Sequence, residues 1–114
     1  MILNLTDEQG KVHFEFLFVG FVLGGSLQDK KGMPLLRKEV ALFMKFEEIS
    51  EPKPCGKKLP NGELERILTG SQIEITLDEF DMLYNYLSAV AWQTGTPAKL
   101  AVETIDWLRS HGNS

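Results

Sequence analysis

Apolar positions are most legible between Ile75 and Trp92, where Phe80, Leu83, Leu87 and Val90 recur at helical spacing with Tyr84 and Ala91 beside them. Thr76 and Glu79 form a capping box, since each side chain can satisfy the backbone amide of the other, and Ile75 and Phe80 supply the hydrophobic staple. A helix is therefore predicted from about residue 77, with a strand ending just before it. Gln93-Thr94-Gly95 closes that helix, and Thr96-Pro97 opens another as N-cap and first helical residue. Ala101, Ile105 and Leu108 form its buried stripe, Arg109 and His111 lie near its carbonyl end, and Gly112 stops it.

The first half is harder to read. Ile2 to Thr6 alternates apolar and polar residues, Asp7-Glu8-Gln9-Gly10 has turn chemistry, and Val12 to Val19 is rich in phenylalanine. These segments predict an antiparallel hairpin, with a helix over residues 12–23 as the competing reading, because a buried apolar run does not settle the period. Gly24-Gly25 and the polar stretch to Gly32 read as a loop. Pro34 then stands at a first helical position, and Leu35, Leu42, Phe46 and Ile49 share one face, which predicts a helix over about 34–49. Alternation from Val40 to Phe46 would also suit a strand.

Pro52, Pro54, Gly56, Pro60 and Asn61-Gly62 punctuate residues 50–62 too densely for a helix or a central strand, so this stretch is read as a loop. Glu63 to Leu68 and Gln72 to Thr76 follow as short strands joined through Thr69-Gly70-Ser71; if they form a hairpin, the capped helix follows directly from its second strand. The architecture expected is a single α+β domain over residues 1–114: a small antiparallel sheet with about three helices, the last two an antiparallel C-terminal pair.

Composition narrows the function classes. The chain is 43% hydrophobic and 25% charged, as in an ordinary globular domain. Its 16 acidic and 12 basic residues leave a net charge of −4, and only Lys30-Lys31 and Lys57-Lys58 approach a basic cluster, which argues against nucleic acid as a partner. The apolar run from Phe14 to Gly25 is shorter than the roughly 20 residues a membrane span needs, and Asp7 and Glu8 precede it where a secretory signal would be basic. Gly20 and Gly24 have the Gly-x-x-x-Gly spacing, read here as glycines that bend or end a buried element. Cys55 is the single cysteine, so neither an intramolecular disulfide nor an all-cysteine metal site is available, and a reducing cytoplasm is the expected compartment.

No complete catalytic constellation emerges. Glu74, Asp78, Glu79 and Asp81 gather at one helix start, but capping and the helix dipole account for Glu79, Asp78 and Asp81, and no histidine lies nearby in sequence to complete a metal-ligand pattern. Cys55 with His13 or His111 supplies only the residue types of a nucleophilic triad. Gly56-Lys57-Lys58 fails the phosphate-loop pattern, because Lys58 replaces the hydroxyl residue and Glu51 stands where the earlier glycine belongs. No catalytic, cofactor or metal site is assigned. Trp92 and Trp107 either close the core around the last interhelical turn or, if exposed, anchor an interface.

Ile75-Thr76-Leu77-Asp78-Glu79-Phe80, Leu83, Tyr86-Leu87, Val90 and Trp92, followed by Ala98, Val102 and Asp106-Trp107-Leu108, resemble small uncharacterised proteins encoded in bacteriophages and prophages. The resemblance covers the last third of the chain and implies an accessory, assembly or host-interaction role, with no active-site residue. The reading that follows is a non-enzymatic protein-interaction module. The apolar segment Phe14 to Leu23, with Phe16, Phe18 and Phe21, offers more hydrophobic surface than a small hairpin can bury, which points to a homodimer. The alternative is a small enzyme or ligand-binding protein using Cys55, Lys57 and Lys58 in the loop, and a third reading is a nucleic-acid-binding accessory protein.

Overall fold

A computed structural model describes residues 2–27, 31–54, 56–59 and 62–112, with the side chain of His111 outside the described part. The chain is α+β, with helices α1 (Glu8–Ser26), α2 (Met33–Glu48), α3 (Leu77–Ala89) and α4 (Thr96–Gly112). Its strands are β1 (Ile2–Asn4), β2 (Ser50–Pro52), β3 (Arg66–Leu68) and β4 (Gln72–Glu74). They form two separate antiparallel ladders, β1 with β4 and β2 with β3.

The largest correction to the sequence reading is α1, a helix where the phenylalanine-rich segment suggested the second strand of a hairpin. Asp7, expected in a turn, is its N-cap and accepts a 2.6 Å hydrogen bond from the Gly10 amide. Phe14, Leu17, Phe18, Phe21 and Val22 are all buried, as are Gly20, Gly24 and Gly25. A helix enclosed on most sides shows little amphipathic period, which is why periodicity did not identify it.

α1 packs on α3, α4 and β3. Phe46 of α2 meets the rings of Phe14, Phe18 and Phe21 edge to face, at centroid distances of 5.7, 5.9 and 5.7 Å. Such contacts add about 0.5–1.5 kcal/mol each beyond area burial. Gly20 and Gly24 neither bend nor end α1. They allow its close approach to α3: a Cβ at Gly24 would stand 2.6 Å from the Tyr86 carbonyl oxygen and 2.7 Å from its Cα.

The predicted helix at residues 34–49 is α2, with Leu42 and Phe46 buried and Leu35 and Ile49 packed beside them. The capping box of α3 is complete, with Glu79 N donating to Thr76 Oγ1 at 3.1 Å and Thr76 N donating to Glu79 Oε1 at 2.8 Å. α3 ends at Ala89, earlier than Gln93-Thr94-Gly95, because Val90 is extended and the Trp92 indole donates back to the Leu87 carbonyl at 3.0 Å. Gly95 carries φ +111°, and Thr96 lies inside α4 rather than at its cap.

β3 and β4 exist as expected, but they do not pair with each other. β4 adds to β1 with Leu3 opposite Ile73, whereas β3 adds to β2 with Glu51 opposite Ile67. Thr69 and Gly70 instead donate to the Ile49 carbonyl at 2.8 and 2.9 Å, turning the chain from one ladder to the other. Pro52 is accommodated because a two-stranded ladder has only edges. Part of the punctuated stretch is itself ordered as a β-arm: Lys58 bridges to Leu64, Leu59 N donates to the Glu63 carbonyl at 2.7 Å, and Gly62 takes φ +87°.

Candidate functional site

Three surfaces contain the residues with a claim to function. The first lies where α1 meets α4. His13 stacks on Trp107 with ring centroids 5.0 Å apart, and its Nδ1 is hydrogen-bonded to Thr104 Oγ1 at 2.9 Å. A cleft of about 550 Å³ opens beside them, bordered by Glu8, Val12, Glu103 and Asp106. Thr104 has no exposed surface, so the His13–Thr104 pair cannot present an activated hydroxyl to a substrate. Phe16 packs on Trp92 at 4.6 Å, on the same helix one turn further along. Both tryptophans are half-buried and packed against the core, whereas Phe18 and Phe21 are buried within it.

The second surface is the β-arm. Lys57 and Lys58 are exposed there, and Cys55 lies outside the described residues. Lys53 approaches Glu65 at 4.0 Å across the arm. Among the described residues no cluster of three or more His, Cys, Asp or Glu side chains could hold a metal ion, and no helix is long and apolar enough to cross a membrane.

The third surface is the outer face of α2. Met33, Leu36, Val40 and Met44 are exposed by 61, 37, 56 and 61% respectively. At 3.6 residues per turn they fall within about 80° of one another, opposite Leu42 and Phe46, and span about 16 Å of helix. The sequence contained this signal as the unresolved alternation from Val40 to Phe46. One apolar set turns inward at Leu42 and Phe46, and the other turns outward at Val40 and Met44.

Ion pairs fix α2 on its inner side. Lys45 reaches the buried Glu79 at 2.5 Å, so the carboxylate that completes the α3 capping box also anchors α2. Glu39 accepts from Lys31 at 3.0 Å and from the Tyr86 hydroxyl. Burial raises the Tyr86 pKa well above the ordinary phenol value of 10.0, and the hydrogen bond to Glu39 and that carboxylate's charge raise it further. Lys38 stands 3.7 Å from Asp78, with both side chains well exposed, so their pairing adds little.

Comparisons with protein families, with curated proteins and with solved structures find no significant match.

Proposed function

We propose that this chain is a non-enzymatic protein-interaction module whose contact surface is the outer face of α2. The observation that carries this reading is the stripe Met33, Leu36, Val40 and Met44, a row of large apolar side chains held in water on a helix whose opposite face is anchored in the core. Scattered exposed apolar residues are ordinary, but an aligned helical row is the form in which one helix reads another. The anchoring supports the same reading, because a rigid helix loses little entropy on docking. The resemblance of the last third of the chain to phage-encoded proteins suggests an accessory or assembly role as its setting.

A photo-crosslinking amino acid at Val40 tests this in the cells that make the protein. The expected result is a discrete protein adduct from Val40 that is absent from a control position at Lys99, exposed on α4. Equal labelling at the two positions, or none at Val40, rules the surface out.

A further inference from the structure

We infer that the occupant of the α2 face is a second copy of the same chain, docked antiparallel, helix against helix; this rests on the proposed role of that face. Charge placement is what selects this occupant. Within the described residues the ion pairs of α2 engage Lys38, Glu39 and Lys45 inside one chain. Arg37 flanks the stripe near its start, Glu47 and Glu48 flank its end, and all three are exposed. Their order works against the helix itself: no acid occupies its first turn, and two acids stand in the last, where the dipole disfavours them and where the one base, Lys45, is already engaged by Glu79.

An antiparallel neighbour reverses that order. Placing Val40 of one copy against Met44 of the other sets Arg37 level with Glu47 and within reach of Glu48, at both ends of the contact at once. Each pair of acids then faces an arginine and the positive end of the opposing helix. The two-fold repeat makes the surface self-complementary, as an isologous dimer requires. A single helix seam falls at or below the low end of stable interfaces, about 1,200 Å², so the dimer is expected to dissociate in the micromolar range or above.

Sedimentation equilibrium on the full chain tests the pairing. The wild type is expected to show a concentration-dependent dimer, and Val40→Glu to remain monomeric with unchanged circular dichroism. Arg37→Glu, and separately the double variant Glu47→Lys/Glu48→Lys, should each weaken dimerisation at least tenfold. An equimolar mixture of those two variants should recover it as a heterodimer, because both ends are again paired. A wild type that stays monomeric to about 1 mM, or a mixture no tighter than its components, overturns the antiparallel second copy. The Val40 crosslink separates that failure from failure of the contact surface: an adduct with a different protein removes only the second copy, whereas no adduct removes both.

Discussion

Thr104 and His13 come from opposite ends of the chain and meet in a place where water does not reach the hydroxyl. Thr104→Val keeps the shape and deletes the hydrogen bond, so it is expected to cost about 1–3 kcal/mol, read as a lowered urea midpoint. A midpoint unchanged from wild type would mean that solvent satisfies the ring. Tyr86 predicts a different response. Its folded pKa is raised, so above about pH 10 the unfolded chain releases the phenol proton while the folded chain retains it. The unfolded state then binds fewer protons, and stability falls as pH rises. The stability advantage of wild type over Tyr86→Phe should therefore shrink as pH rises above about 10; an advantage that stays constant would refute the raised pKa. At this scale the Thr76–Glu79 capping box was legible, because its partners are neighbours in sequence. Lys45 on Glu79 and Glu39 on Tyr86 were not, since each joins α2 to α3 across a long stretch of intervening chain.

Among the elements, α1 crosses α3 with no room for a side chain at Gly24. Ala is ordinarily favoured over Gly within a helix by about 1 kcal/mol, yet at Gly24 a methyl would meet the Tyr86 backbone. Gly24→Ala is expected to destabilise by about 1–3 kcal/mol in thermal unfolding. Gly20→Ala should cost less, because the nearest atom there is the tip of the Leu87 side chain, which can rotate. The reverse ranking would contradict the crossing geometry. The same pair shows how a spacing acquires its meaning: Gly-x-x-x-Gly was visible in the sequence, but whether it bends an element or admits another depends on what lies opposite. α4, and α2 with its strand alternative left open, are legible as helices because their buried residues recur at helical spacing on one side. α1 is not, because burial on most sides removes the contrast on which periodicity depends.

At the scale of the whole molecule, the described residues form two two-stranded ladders in place of one sheet, and their four helices supply most of the core around α1. The self-association expected from Phe16, Phe18 and Phe21 assumed that a hairpin could not cover them. As a helix, α1 buries Phe18 and Phe21 and packs Phe16 on Trp92, so the unpartnered apolar surface moves to α2. The candidate surface was legible only as an ambiguity, the competing strand reading of Val40 to Phe46. Sequence by itself determined the α+β class, the start of α3 and the inner face of α2, because these follow from capping and periodicity among near neighbours. Tertiary structure alone decided which strands pair, that α1 is a helix, and that Met33, Leu36, Val40 and Met44 remain in water. Those outcomes depend on which surfaces distant segments cover, and coverage is a property of the assembled core.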